Sequence, residues 1–417
     1  MYQLVTLFHN NVSSHMDISE KILSDPINEW VFANAGTEVF LVGGYIRDLL
    51  LDRASYDKDY ALKSNAKNIA VKFAKEFKGT FIELKEEYTY RVALKDGQFI
   101  DFNNFEMEIE GDLLLRDYTI NAMAWSPETG IIDPTGGLSS LKKKRITTVN
   151  PNNMRQDPLR VLRAYRIAAQ LNFSIDLKTR AYLREYSCLL IKAAPERITE
   201  ELYKLLNSTD PLKYLKLCGQ DDIFKAIFGV TYRNIKDNLR LIAFFEEFIT
   251  KSTKFNGLDE PISQGLNRLG LIRISLLLKY DIKSNKTVYY KYLSPSSIIK
   301  QKIREIQEAG NLNRGRITDT RLYEIYKTAG TSAFEIALIM SSLRSRKRDR
   351  KRLIKKVNQY LKIKDKHLID GNEIQSILSI KEGARIGRIQ EKIKERQFKE
   401  LINNESEARA WIISSFT

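Results

Sequence analysis

The sequence predicts an α+β head built on a small mixed sheet, followed by an extended all-α body. Three observations carry that prediction. Between residues 38 and 150, short apolar runs alternate with segments of helical period. After Asp157-Pro158, apolar residues recur at three- and four-residue steps almost to the C-terminus, with few β-rich runs. Only nine prolines occur in 417 residues, so helices can run uninterrupted over a region of about 260 residues. The chain therefore divides into an N-terminal extension and helix (1–37), a head (38–150), a helical neck (151–205) and a helical body and tail (206–417).

Residues 1–16 are peripheral, and Met16 opens an amphipathic helix carrying Ile18, Ile22, Leu23, Ile27, Trp30 and Val31. Strands are expected at 39–42, 57–62, 80–84, 90–94 and 99–102, with a helix at 66–77. Lys95-Asp96-Gly97-Gln98 separates the last two strands as a hairpin turn does. In the body, polar and charged residues break the helical period at 252–257 and 281–286, which read as linkers.

With 43% hydrophobic residues the chain is globular, and its length suits several domains better than one core. A net charge of +16 calls for a polyanionic partner, nucleic acid or a membrane surface. No apolar run reaches the roughly eighteen residues of a membrane span, and the N-terminus lacks the order of a signal peptide. Two cysteines, Cys188 and Cys218, fit a reducing compartment and cannot make a zinc site between them. Three histidines, His9, His15 and His367, argue against a His-based metallohydrolase centre. The composition points to a cytoplasmic, nucleic-acid-facing protein without a membrane partner.

The most informative stretch is Leu41-Val42-Gly43-Gly44-Tyr45-Ile46-Arg47-Asp48, followed by Asp57-Lys58-Asp59. An apolar strand that ends in Gly43 and Gly44 before a helix lets backbone amides approach a phosphate, with Arg47 one turn further on. On a strand, Asp57 and Asp59 project together while Lys58 points away. Paired carboxylates repel each other until a divalent cation relieves them, and Mg²⁺ takes hard oxygens from one or two carboxylates plus phosphates. A phosphate cradle beside a metal pair is the equipment of nucleotidyl transfer. Asp101, in Phe99-Ile100-Asp101-Phe102, is the candidate third carboxylate; equally, it could simply end a strand before Asn103-Asn104.

Six further segments carry a family resemblance. Leu115-Arg116-Asp117-Tyr118-Thr119-Ile120-Asn121-Ala122-Met123 resembles the Arg-Arg-Asp-Phe-Thr-x-Asn-Ala signature of class II tRNA nucleotidyltransferases, relatives of bacterial poly(A) polymerases. Ile132-Asp133-Pro134-Thr135-Gly136-Gly137-Leu138 is similar to the next motif of that family. Gln156-Asp157-Pro158-Leu159-Arg160 and its continuation to Arg166 is similar to its nucleotide-reading Glu-Asp-x-x-Arg helix, and Pro195-Glu196-Arg197-Ile198 to an element beyond it. Near the C-terminus, 368–374 and 407–412 are similar to the family's tail. The resemblance implies a nucleotidyltransferase head that uses Mg²⁺ and CTP and/or ATP, with tRNA as partner. It makes Asp57, Asp59 and Asp101 the catalytic set and Arg116 a nucleotide contact. Leu115 replaces the family's preceding arginine, Gln156 a usual Glu, and Ser140 a usual Asp. Asp117 reads as the cap of the helix that carries Ile120 and Met123 into the core.

Asp157 and Arg160 stand three apart on a helix, so a carboxylate acceptor and a guanidinium donor are neighbours. Together they match the edge of C or A, accepting from its exocyclic amine and donating to the ring, and they refuse G and U. Alternatively, Asp157 before Pro158 is an N-cap with proline at the first helical position; the resemblance favours base reading. Arg163 and Arg166 continue the row as triphosphate contacts, although a three-residue step spirals around the helix.

The basic run 344–356, with Arg344, Arg346, Lys347, Arg348, Arg350, Lys351 and Arg352, is either a solvated helical face or a contact for an RNA backbone; a basic, nucleotide-using chain favours RNA. The leading expectation is template-independent addition of C and/or A to the tRNA 3′ end. Poly(A) polymerase is the close rival and a non-catalytic RNA-binding protein the distant one. Relatives that add the full CCA carry a flexible loop between the third acidic strand and the Arg-Asp motif. Here only about fifteen residues separate Asp101 from Arg116, so the lean is to CC addition, with a separate A-adding enzyme as partner.

Overall fold

In the computed structural model of the chain, residues 18–251, 255–278, 292–313, 317–381 and 383–416 are described, and the chain divides after Tyr186 into two compact units. Residues 1–16, the linker 281–286 and the first three residues of 252–257 lie outside the described residues.

The first unit opens with α1 (Ile18–Leu23) and α2 (Pro26–Asn34), two helices where the hydrophobic pattern suggested one. The break is chemical. Pro26 starts the second helix, and Asp25 caps it by accepting from the Ile27 and Asn28 amides at 2.9 and 3.2 Å. There follow β1 (Val39–Val42), α3 (Gly44–Leu50), β2 (Lys58–Leu62), α4 (Ala66–Glu76), β3 (Thr80–Lys85), β4 (Thr89–Ala93), β5 (Phe99–Asn104) and α5 (Ile109–Leu114). A 3₁₀ turn (Thr119–Asn121) leads to β6 (Ala124–Ser126), β7 (Gly130–Ile132), α6 (Gly137–Lys142), β8 (Arg145–Ile146) and α7 (Asn153–Gln156). The unit closes with α8 (Leu159–Leu171), β9 (Ser174–Ile175) and α9 (Leu177–Tyr186).

The main sheet has seven strands in the order β3-β4-β5-β2-β1-β6-β7. β2 and β5 pair in parallel and the other neighbours antiparallel, because α4 and the β3–β4 hairpin form the crossover between those two strands. The five expected strands are present. The sheet is wider than expected because β6 and β7, three residues each, are too short to show a period.

The two faces differ in chemistry. One carries the row Trp125, Leu41, Tyr60, Phe102 and Tyr90, covered by an aromatic layer in which Phe32 meets Trp125 at 5.2 Å and Phe73 meets Phe102 at 5.4 Å. The other face has a core of Phe40, Val42, Ala61, Phe105, Ile109, Leu113, Ala122 and Ala124. Beyond that core it turns polar, and there the candidate site lies.

The second unit is helical: α10 (Pro195–Leu206), α11 (Leu212–Gln220), α12 (Ile223–Phe228), α13 (Tyr232–Lys251), α14 (Arg268–Leu277), α15 (Ser297–Leu312), α16 (Asp319–Ala329), α17 (Ala333–Ser342) and α18 (Lys347–Ile363), then α19 (Gly371–Leu378), α20 (Ala384–Phe398) and α21 (Glu405–Phe416). A small hairpin, β10 (Pro261–Ser263) and β11 (Leu266–Asn267), interrupts the expected all-helical run. Its two-residue turn puts both Gln264 and Gly265 at positive φ, a conformation that twists with the strands. The tail segments seen in the sequence pack together, with Ile369, Ile374, Ala408 and Ile412 in one buried cluster. No helix among the described residues is long and apolar enough to cross a membrane.

Candidate active site

One row across the polar end of the sheet defines the site. Val42, Asp59, Asp101 and Arg91 are successive partners across β1, β2, β5 and β4, so their side chains share a face. Asp57 stands one residue before β2, exposed, with Oδ1 accepting from the Phe99 amide at 3.3 Å. Lys58 takes the opposite face, as its position between the two aspartates requires. There its ammonium is buried, paired with Asp25 Oδ2 at 3.0 Å and lying 5.1 Å from the Tyr45 ring centroid. The capping residue of α2 therefore also anchors the back of the acidic strand.

Asp59 is half-buried, and its carboxyl is pushed up to about 6. Burial is the main cause; Asp101 and Asp57 add repulsion, while Arg116 and Arg163 pull the other way. Gly43 makes this crowding possible. It sits at φ 81, and a Cβ there would lie 2.9 Å from Arg116 Nη1 and 3.3 Å from Asp59 Oδ2. Its amide donates to the Met123 carbonyl at 3.1 Å. Gly43 thus gives room to a guanidinium and a carboxylate, and its own amide is already used. Gly44, as the first residue of α3, is among the amides a helix leaves without an internal acceptor.

Three sequence motifs join in one polar chain. Arg47 holds Asp48 through Nε and Nη2 at 2.9 and 2.7 Å, and its Nη1 donates to Asn121 Oδ1 at 2.6 Å. Asn121 in turn donates to Asp117 Oδ1 at 3.1 Å, and Asp117 Oδ2 lies 3.2 Å from Arg163 Nε. Asp117 is therefore no helix cap. The Tyr118 amide donates to it at 2.8 Å, but its main task is to join Asn121 to Arg163. Burial pushes its carboxyl up, and Arg163 first, then Asn121 and the Tyr118 amide, outweigh that and hold it below the usual carboxylate range. Arg116 rests on Asp112 Oδ2 through Nε and Nη2 at 3.2 and 3.1 Å. In the neighbouring motif, Asp133 accepts from the Gly137 and Leu138 amides at 2.6 and 2.9 Å and starts α6. Ser140 is buried and accepts from Thr119 Oγ1 at 2.8 Å.

Along α8, Arg160, Arg163 and Arg166 are the half-exposed positions between Leu159 and Ala169; every other residue there is buried. Arg160 Nη1 reaches back to the Leu115 and Asn153 carbonyls at 2.8 and 3.2 Å, and Arg166 Nη1 donates to Gln170 at 2.9 Å. Asp157 lies just before the helix, with Oδ1 accepting from the Leu159 amide at 3.2 Å and its carbonyl from the Arg160 amide at 3.1 Å. That is the cap geometry; base reading requires this carboxylate to serve a ligand as well.

Among the described residues, no group of three or more His, Cys, Asp or Glu forms a ready metal cage. At Asp101 both oxygens accept from Arg91, Nε and Nη2 each at 2.7 Å. The donors that remain, Asp57 and Asp59, are hard oxygens, and burial, with repulsion from Asp101 and Asp57, makes the ionised form of Asp59 costly in spite of Arg116 and Arg163. The set fits a divalent cation held by two carboxylates together with phosphate oxygens. Sequence reasoning missed Arg91. The turn at 95–98 held the signal, since a hairpin in which Leu94 N donates to Gln98 O places residue 91 opposite 101.

The basic run in the second unit splits in two. Arg344 donates to Asn313 at 3.3 Å, Arg350 to the Arg344 carbonyl at 2.6 Å, and Arg352 to the Ile317 carbonyl at 3.2 Å while pairing with Asp319. Lys356 is buried against the Phe398 carbonyl at 2.7 Å. Arg346, Lys347, Arg348 and Lys351 are exposed.

Residues 39–147 match the poly A polymerase head domain, and residues 172–233 match the family described as "Probable RNA and SrmB- binding site of polymerase A". The chain is similar to a CC-adding tRNA nucleotidyltransferase of Geobacter sulfurreducens, 36% identical over 200 residues, covering 47% of this chain and 46% of that protein. The chain thus spans about half the length of the first curated relatives it matches. It is 28% identical over 405 residues to a CCA-adding enzyme of Lactococcus lactis subsp. cremoris, covering 93% and 94% of the two chains. A solved complex of a CCA-adding enzyme with CTP superposes with a TM-score of 0.73 at 26% identity, covering 96% of this chain and 97% of that one.

Proposed function

We propose that this chain is a member of the CCA-adding tRNA nucleotidyltransferase family and that it adds nucleotides, without a nucleic-acid template, to the 3′ end of tRNA in the cytoplasm. The observation that carries the reading is the sheet row that sets Asp59 beside Asp101, against the Gly43 turn and Arg116. Nucleotidyltransferases of this family are generally divalent-metal dependent. Here Asp57 and Asp59 would hold Mg²⁺, which when bound lowers the pKa of the attacking ribose 3′-OH and offsets charge on the triphosphate.

The chain's own residues do the positioning. Arg116, beside Asp59 and held by Asp112, faces the triphosphate; Gly43, Gly44 and Arg47 shape the turn beneath it. Asp157 and Arg160 select C or A through their hydrogen-bond pattern, with Arg163 and Arg166 along the same half-exposed edge of α8. The head at 38–150 supplies the chemistry and the neck at 151–205 the selection. The body and tail at 206–417 supply RNA contacts, with Arg346, Lys347, Arg348 and Lys351 among the exposed cations of the basic run.

The connection from Asp101 to Arg116 favours CC addition. Its helix, α5, buries Ile109 and Leu113 in the head core, so this segment is fixed in place. A site that must change from C to A needs an element that moves. The final A would then come from a separate A-adding enzyme. The test is to supply CTP and ATP with tRNA ending at the discriminator base, after C, or after CC, and to sequence the products. Two added C residues and a stall are expected. A majority of complete CCA ends would reject the CC subtype, and untemplated A tracts on any RNA would identify a poly(A) polymerase instead.

A further inference from the structure

We propose that Arg91 is a built-in counterion for Asp101, and that it restricts the metal-free protein's attraction for a divalent cation to Asp57 and Asp59. This rests on the reading that those two aspartates hold the metal.

The geometry is specific. The β4–β5 register fixes Arg91 opposite Asp101, and Asp101 opposite Asp59, on one face. Both carboxylate oxygens of Asp101 accept from the guanidinium fork at 2.7 Å, the bidentate arrangement that a lysine could not reproduce. The Arg91 guanidinium also lies 5.0 Å from the centroid of the Phe99 ring, which holds it in place from the side. Both partners are half-buried, so solvent screens the pair only in part.

Three acids crowd this corner, and their charges would sum to −3. A cluster of that kind would bind any free divalent ion and repel a triphosphate. With Arg91 clamped on Asp101, the sum over these four side chains is −2, Arg116 beside Asp59 offsets part of the remainder, and two carboxylates alone make an incomplete shell for a hard cation. Phosphate oxygens complete it, so the protein favours a cation that arrives with its nucleotide. Arg91 also places a positive charge on the face where the triphosphate must lie. It is a positioning residue, acting through Asp101.

The test uses the full chain, stripped of metal and without nucleotide, titrated with Mn²⁺ while free ion is followed by electron paramagnetic resonance. Arg91→Gln should bind Mn²⁺ on the order of tenfold more tightly than wild type, since it uncovers a negative charge near the ion. Arg91→Met, which keeps length against Phe99, should do the same if the Gln variant folds poorly. Arg91→Lys, which keeps the charge, should stay within about twofold. Adding Asp101→Asn to Arg91→Gln should return the affinity to near wild type. A role confined to fastening the hairpin would lower the melting temperature and leave Mn²⁺ affinity unmoved. Unchanged or weaker binding in both Arg91→Gln and Arg91→Met overturns the proposal, as does a Lys variant that tightens like the Gln one. Asp59→Asn separates the two layers: if it leaves Mn²⁺ binding untouched, the metal-site reading fails. If it weakens binding while the Arg91 variants do nothing, only the counterion inference fails.

Discussion

Asp59→Asn should abolish nucleotide incorporation and, at neutral pH without metal, make the protein more stable. The folded state holds the Asp59 carboxyl at about 6, against 3.8 for an ordinary aspartate. Burial, with repulsion from Asp101 and Asp57, outweighs the attraction of Arg116 and Arg163. Because the folded pKa lies above the unfolded one, the folded state binds this proton more tightly. The resulting stabilisation is fully present below about pH 4 and is lost as pH rises through about 6. Above that, ionised Asp59 costs the metal-free protein at most about 3 kcal/mol, at 1.36 kcal/mol per pH unit. Solvent reaches a half-buried group, so about 1–2 kcal/mol is the expected net cost. For a unit of this size that corresponds to roughly 2–8 °C in melting temperature. Thermal melts in a chelator at pH 5 and pH 7.5 test it. Wild type should lose stability between the two pH values more steeply than Asp59→Asn, and the variant should melt higher at pH 7.5. Adding Mg²⁺ should raise the wild type and leave the variant nearly unmoved. A variant that melts lower at pH 7.5, with the same pH slope as wild type, would refute the reasoning.

Asp157→Ala should cost about 1 kcal/mol of stability through the lost bond to the Leu159 amide, and it should also admit UTP or GTP. Thermal melts with single-nucleotide incorporation assays separate the roles, and unchanged selectivity with a lowered melting temperature leaves only the cap. The basic run should divide by contact. Replacing Arg346, Lys347, Arg348 and Lys351 by Gln should weaken tRNA binding and flatten its salt dependence by about 0.7–0.9 in log–log slope per lost phosphate contact. Arg352→Gln, which breaks the pair with Asp319, should instead lower the melting temperature with a smaller change in slope. Equal slopes for the fourfold variant and wild type would make the exposed residues a solvated face.

Much of the fold was legible because periodicity and turn chemistry are local. The five longer strands, the helix beginning at Ala66, and the turn at Lys95-Asp96-Gly97-Gln98 each leave a pattern within ten residues or so of chain. The misses share a different cause. Strands β6 and β7 are held by their neighbours and not by any period of their own, and α1 and α2 are parted by Asp25-Pro26 inside an unbroken hydrophobic pattern. At the site, sequence supplied the residues and strand geometry supplied the face, but partners needed the folded sheet.

Arg47 and Asp117 show what that difference means for function. Each was assigned from its own motif, one as a phosphate contact and one as a helix cap. In the fold they belong to one chain, Asp48–Arg47–Asn121–Asp117–Arg163, which runs from the glycine turn through the Arg-Asp motif to the helix of α8. Asp117 is the member on which it depends, because its buried carboxyl is held below the usual range against desolvation by Arg163 first, then by Asn121 and the Tyr118 amide. The turn that makes room for Arg116 and the helix that carries Arg160, with Asp157 just before it, are thereby tied by hydrogen bonds and an ion pair. Displacing Arg163 toward a ligand would leave Asp117 undercompensated and be felt at Asn121 and Arg47. The glycine turn with α3 and the helix α8, where the proposed base-reading residues lie, are therefore parts of one linked arrangement, which short motifs read singly do not reveal.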